Sequence, residues 1–278
     1  MKISGHPGVC CVQHSHPCFN GGSCHVNSSD ITRRFICKCP PGYYGDQCKI
    51  QNPKSCADYW TGGMKPISRD YMLEDQTGKP YQVYCDFDSE EGIAWTLIES
   101  FSISNEALLL TFPFFIDHPL NEAKVNWDLF RLSKTTMQDI SSRSTFWRAT
   151  CSYPIYGVDF RDYIRVRISV LDPTVFVGGL TYNSEACIQI DLLDIKGSRC
   201  LNCTTTIFQV ADQMLHVGPF WGRVYHGCSF NSLSIEYMCG NGEFSRLLGV
   251  YGPCSDPSYR CSETPSSTTQ FWFGELKP

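Results

Sequence analysis

The stretch Cys18-Phe-Asn-Gly-Gly-Ser-Cys24, then a polar loop, then Cys37-Lys-Cys39-Pro-Pro-Gly42-Tyr-Tyr-Gly45-Asp-Gln-Cys48, constrains this chain more than any other. A segment of roughly 40 residues buries too little apolar surface to offset the entropy of ordering it, so cross-links have to stabilise it. Cytosolic thiol pools would keep these sulfurs reduced, which sets maturation in an oxidising compartment. Seventeen cysteines, seven of them before residue 50, extend that demand to the whole chain. The count is odd and leaves either Cys10 or Cys11 over, for a later cysteine or for another molecule.

Met1–Gly8 has no apolar core of the kind a signal peptide needs, so the cysteines imply a start that lies upstream of the one written. No apolar run reaches the ~18 residues of a membrane span; Ala107–Ile116 is too short and carries Pro113. A net charge of −5 without a basic stripe argues against nucleic acid as a partner, and Asp86-Phe-Asp88-Ser-Glu90-Glu91 reads as a solvated acidic turn.

Residues 10–49 resemble an EGF-like domain through the Asn20-Gly21-Gly22 turn between two cysteines, the one-residue gap of Cys37-Lys38-Cys39 and the Gly42-Tyr43-Tyr44-Gly45 before Cys48. The resemblance implies pairing of Cys10 or Cys11 with Cys24, Cys18 with Cys37, and Cys39 with Cys48. Gly5–Val9 offers no side-chain oxygen for calcium, and Gln47 stands where receptor-activating members carry arginine. The expected role is a spacer or interaction module with no metal and no cofactor. Residues 1–9 read as a tail and 50–54 as a linker.

After the linker, Tyr81, Val83, Cys85 and Phe87 alternate with Gln82, Tyr84 and Asp86, the period of a strand buried on one face. Ala94–Ile98 reads as its partner. Gln82-Val-Tyr-Cys-Asp86 and Trp95-Thr96, behind a cysteine-led start at Cys56, resemble the opening subdomain of fibrinogen C-terminal domains over about residues 55–98. The resemblance implies a Cys56–Cys85 bridge, which on the chain-entropy model stabilises by roughly 3–4 kcal/mol. Past residue 100 neither the aspartate-rich calcium loop nor the acetyl-sugar pocket of fibrinogen-related lectins is recognisable, so those sites are not carried over.

Residues 101–278 read as a divergent, cysteine-rich region, mainly β with one or two helices; with the two resemblances, the expected architecture is an EGF-like β module followed by a mainly β (α+β) domain that resembles the fibrinogen C-terminal family. Glu122–Ile140, free of Gly and Pro, predicts a helix presenting Val125, Leu129, Leu132 and Ile140. Strands are predicted at Ile164–Val170, with Arg165 and Arg167 toward solvent, and at Thr174–Val177, Cys187–Leu192, Thr205–Val210 and Leu233–Met238. Phe271–Gly274 packs back as a last strand, after a polar tail, Ser262–Thr269, suited to O-linked sugar. Eight cysteines from Cys151 to Cys261 admit 105 pairings.

Asn27-Ser-Ser29 and Asn202-Cys-Thr204 are N-glycosylation sequons, which fits secretion. Cys200-Leu-Asn-Cys203 has the gap of a zinc or redox pair, but no matching second pair follows and a disulfide reading is preferred. His14, His16 and His25 read as surface residues. No nucleophile elbow, zinc-protease helix, phosphate loop or cysteine-nucleophile signature is present, and His216, His226, Asp191 and Asp194 stand isolated. The sequence therefore predicts a secreted, non-enzymatic matrix or adhesion protein whose partners are matrix proteins, glycans or a mineral surface. Its domain order resembles that of cnidarian secreted proteins, including components of the coral skeletal organic matrix. The alternative is a fibrinogen-related lectin binding glycans.

Overall fold

A computed structural model describes residues 17–26, 35–175, 187–217, 227–230, 237–238, 244–245, 248–251 and 255–277. The chain divides into two compact units, one formed by residues 1–54 with 73–80, the other by 55–72 with 81–278. It is mainly β and disulfide-bonded. Asn27, Cys10, Cys11, His14, His16, His226, Cys239 and Cys254 lie outside the described residues, as do most of Leu233–Met238.

In the first unit, β1 (Ser23–Val26) pairs antiparallel with β2 (Phe35–Lys38), and β3 (Tyr43–Tyr44) with β4 (Ile50–Gln51). Cys18 is bonded to Cys37 and Cys39 to Cys48; Cys24 is also disulfide-bonded. Asn20 and Gly21 turn the chain at φ values of 52° and 79°, a region that glycine enters freely and asparagine tolerates. Among the described residues of 17–54 the buried side chains are those of Cys18 and Cys48, so this stretch relies on sulfur for its interior.

The second unit is organised by a nine-stranded sheet. Its strands are β5 (Arg69–Glu74), β6 (Pro80–Asp86), β7 (Ile93–Ser102), β8 (Leu129–Arg131), β9 (Phe146–Cys151), β10 (Tyr163–Arg167), β11 (Ile188–Ile195) and β12 (Ser198–Thr205), together with β17 (Thr268–Leu276). Two small hairpins come between: β13 (Ile207–Val210) with β14 (Gln213–Val217), and β15 (Tyr237–Met238) with β16 (Phe244–Ser245). The sheet order is β12-β11-β10-β9-β17-β7-β6-β5, with β8 on β7. The last strand in sequence thus sits in the middle, antiparallel to β7 on one side and β9 on the other.

Every residue of β7 and β9 is buried, as are the first seven of β17. Sheet centres covered on both faces read as continuous runs instead of alternating ones. Gly274 in β17 is required by packing: a Cβ there would lie 2.6 Å from the Trp95 ring. Cys56–Cys85, Cys151–Cys261 and Cys187–Cys228 join distant parts of the unit, and Cys200 is bonded to Cys203.

Several sequence expectations are corrected. The helix α1 runs Lys134–Arg143, not 122–140, because Ser133 caps it by accepting from Thr136 N at 3.3 Å. Leu129 belongs to β8, where Phe130 and Arg131 register with Ser100 and Glu99, and residues 121–128 form a loop. Thr174 and Val175 lie in a turn, not a strand, because Asp172 Oδ1 accepts from both the amide and the hydroxyl of Thr174. The stretch Ser262–Thr269 is not a free tail: Ser262, Ser267, Thr268 and Thr269 are buried, and Thr268 opens the central strand. Asp86-Phe-Asp88-Ser-Glu90-Glu91 is not a solvated turn either. Asp86 is 0% exposed and Glu90 6%.

Candidate ligand-binding face

Asp86 and Glu90 are buried because a cation from β9 meets them. Arg148, itself 0% exposed, donates from Nη2 to Asp86 Oδ2 at 2.6 Å and from Nη1 to Glu90 Oε1 at 3.0 Å. Its guanidinium also lies over two indoles, 4.3 Å from the Trp95 ring and 4.8 Å from Trp272. Glu90 accepts in addition from the Tyr163 hydroxyl at 2.6 Å and from Arg165. Arg165 is therefore tied to this hub and only 25% exposed, while Arg167 reaches Asp191 at 3.4 Å with half its side chain in water. Burial alone would raise the Asp86 carboxyl; Arg148, the Ser89 side chain and the Asp88 amide outweigh it and hold the group below the usual carboxylate range.

The second buried pair has the opposite balance. Glu99 of β7 meets Arg131 of β8, whose guanidinium also donates to the carbonyls of Phe112, Pro113 and Ile116. Burial raises the Glu99 carboxyl more than Arg131 lowers it, and Glu99 Oε1 has no hydrogen-bond partner among the described residues.

Trp272 links the hub to the surface. It is fully buried, with its indole N–H donating to Thr150 Oγ1 at 3.0 Å. Three half-buried rings pack around it: Tyr153 at 4.8 Å, Tyr84 at 6.2 Å and Trp127 at 6.3 Å between centroids. Trp127 and Tyr153 stack at 5.7 Å with 21° between planes, and Tyr84 meets Trp127 edge-on at 5.1 Å. Each ring comes from a different element. Tyr84 is an outward position of β6. Tyr153 opens a one-turn helix, Tyr153–Tyr156, entered through Ser152 at φ 48°.

Trp127 is presented by the 121–128 loop, which Gln82 anchors by accepting from Val125 N at 3.1 Å. Asn121 closes the loop with a bond from Nδ2 to Leu129 O at 2.7 Å.

Beside these rings lies an open groove of about 490 Å³ lined by residue 121 and residues 123–128. Lys124 stands in it and Asp70 of β5 faces Lys124; burial raises the Asp70 carboxyl and the Lys124 charge partly offsets it. Burial likewise raises the Tyr84 and Tyr153 phenols, with the negative Asp86 adding to the effect. Both hydroxyls therefore stay protonated at physiological pH, and they hydrogen-bond to each other. Flat apolar ring faces, phenol hydroxyls, amides and charges of both signs suit a ligand with both apolar faces and hydroxyl or amide groups.

The residues singled out in the sequence are mostly elsewhere. The Cys56–Cys85 bridge lies under β6, one residue from Tyr84, and Cys18, Cys24, Cys37, Cys39 and Cys48 are in the other unit. Asn202 is exposed on β12. His216 is buried against Phe208, its Nδ1 3.1 Å from Met214 O, and Asp194 accepts from the Asp162 and Gly197 amides. Among the described residues no group of three or more His, Cys, Asp or Glu side chains is arranged to hold a metal, and no helix is long and apolar enough to cross a membrane. Tyr84 was read only as part of the Gln82–Asp86 strand, Trp127 fell within the predicted 122–140 helix, and Tyr153 carried no motif.

Comparison with known proteins bears on the first unit. The chain is 44% identical to human Delta-like protein 3 over 52 residues, 19% of this chain and 7% of that protein. It is 42% identical to the rat Delta-like protein 3 over 63 residues, 20% of this chain and 10% of that protein. It is 43% identical to human hepatocyte growth factor activator serine protease over 42 residues, 15% and 6% respectively. The chain thus spans a tenth or less of these relatives. Residues 11–47 match the EGF-like domain family, and this segment is an EGF-like domain.

Proposed function

We propose that the chain is an extracellular, non-catalytic adhesion protein that contacts its partners through the aromatic face of its second unit. The EGF-like domain supports the extracellular part of this reading, since such domains are extracellular and often mediate protein interactions. The carrying observation is the Tyr84–Trp127–Tyr153 cluster, half-exposed beside an open groove and braced from below by Trp272 and Arg148. Rigid aromatic anchors beside polar groups are the usual composition of a contact surface. The non-catalytic part is supported by the engagement of His216, Asp191 and Asp194 in structural contacts.

The relation of the second unit to fibrinogen C-terminal domains belongs to the same proposal. It is supported by the Cys56–Cys85 bridge and by the register Cys85↔Thr96 and Asp86↔Trp95, which sets the two resembling segments side by side. An extracellular matrix, including the organic matrix of a coral skeleton, is the proposed setting.

A lectin-like second reading is favoured by the same rings, because flat aromatic faces beside amide and carboxylate groups suit a sugar. Binding of the purified protein to immobilised matrix glycoproteins, before and after their glycans are removed enzymatically, separates the two. Binding that survives deglycosylation and falls in Trp127→Ala supports protein adhesion; binding lost with the glycans supports the lectin. No binding in either arm removes both readings.

A further inference from the structure

Among the described residues strand β12 forms one margin of the nine-stranded sheet and pairs with β11 alone, from Ile188↔Thr205 to Ile195↔Ser198. At Thr204 the outer side of this margin is covered, because its amide donates to Ser229 Oγ at 2.8 Å and its carbonyl accepts from Phe230 N at 2.9 Å. Antiparallel strands turn alternate residues' amide and carbonyl outward, and the register on either side of Asn202 is the same, so the outer side is presented again at Cys200. Among the described residues nothing covers it there. Leu201 is 63% exposed, and Ser198, Arg199 and Asn202 are also exposed. An open strand with an exposed leucine is a template for pairing with another chain.

Asn202 stands in the middle of this stretch at φ 47°, bracketed by the Cys200–Cys203 disulfide, and it opens the sequon Asn202-Cys203-Thr204. We infer that Asn202 carries an N-linked oligosaccharide and that this glycan screens the open margin of β12 against pairing with a second copy of the chain. In the transfer, Asn202 Nδ2 forms the bond to C1 of the sugar of a lipid-linked oligosaccharide donor. The C1–oxygen bond to the polyprenyl pyrophosphate breaks, the pyrophosphate leaves with the electron pair, and one amide proton goes to base. A bulky, hydrated group at this position occupies the space that a pairing strand would need. Asparagine also tolerates the left-handed backbone at this residue, so the test has to read the sugar itself.

The full chain is secreted from a eukaryotic host with Asn27→Gln in place, leaving one sequon, and its peptides are mapped by mass before and after peptide-N-glycosidase. The peptide holding residue 202 is expected to carry a glycan and to become aspartate at 202 on treatment. Sedimentation velocity of the treated, still folded protein is expected to show self-association at least about tenfold tighter than the glycosylated form. Asn202→Gly, which keeps the left-handed backbone and abolishes the sequon, should behave like the treated protein. Adding Leu201→Lys should restore the monomer. An unmodified Asn202, or unchanged self-association after removal of the sugar, overturns the inference.

Discussion

Replacing Arg148 by methionine tests whether the buried hub holds the second unit together. The substitution keeps much of the side-chain volume between Trp95 and Trp272 and removes the positive charge from Asp86 and Glu90, both nearly inaccessible to water. Breaking a buried ion pair from one side costs about 3–5 kcal/mol, because the remaining charge is left uncompensated. Two features moderate the cost here. Asp86 keeps the Asp88 and Ser89 amides at 3.0 and 3.1 Å, and Glu90 keeps Tyr163 and Arg165. Loss of two desolvated cation–π contacts acts the other way, so the expected cost is about 4 kcal/mol.

Urea unfolding followed by tryptophan fluorescence reads this directly, since all six tryptophans lie beyond residue 54 and report on the second unit. Asp86→Asn should be costly alone, and the Asp86→Asn/Arg148→Met double variant should be more stable than the sum of the two predicts by about 1–3 kcal/mol. A cost below about 1 kcal/mol for Arg148→Met, or strict additivity, would refute the reasoning.

Acid stability should separate the two buried carboxylates. Asp86 is held below its ordinary value, so its contribution is present above about pH 3.9 and lost as pH falls through the folded value; Asp86→Asn should flatten the acid limb of a pH series of urea midpoints. Glu99 is raised, so its contribution is present below about pH 4.3 and lost as pH rises through the folded value; Glu99→Gln should remove that loss and change the slope in the opposite sense. Gly274→Ala drives a methyl to 2.6 Å from the Trp95 ring and should cost about 1–3 kcal/mol by the same denaturation assay. Removing the Cys151–Cys261 bridge, which spans 110 residues, should cost about 1 kcal/mol more than removing Cys56–Cys85, which spans 29; equal melting shifts for the two double-serine variants would contradict this.

Residues 81–87 and 94–98 were legible because one periodic strand and one apolar run are enough to mark a sheet. The strand Phe146–Cys151 was not: it is buried on both faces, so it does not alternate, and Arg148 interrupts the apolar run that would have marked it. The same residue explains the misread acidic segment. Nothing local tells Asp86 and Glu90 from Asp88, and their burial depends on a cation some sixty positions away. The helix start was misplaced because freedom from Gly and Pro bounds a helix loosely, whereas the Ser133 cap fixes it. The aromatic face was invisible for a related reason. Its three rings come from a strand, a loop and a one-turn helix, and only the tertiary fold brings them around Trp272.

The position of β17 between β7 and β9 also governs how the chain can be made. Those two strands hydrogen-bond through a segment that leaves the ribosome more than a hundred residues after either of them, so the middle of the sheet stays unzipped while the rest is synthesised. Until residue 276 has emerged, two long apolar strands present unpaired backbone to their surroundings, the condition under which nascent chains associate wrongly. The oxidative step that joins Cys151 to Cys261 is expected to follow the same event, since β17 sets Thr269 opposite Cys151 shortly after Cys261 in the chain. Biogenesis of this protein is therefore expected to depend on a chaperone and disulfide-isomerase environment that tolerates a long delay before closure.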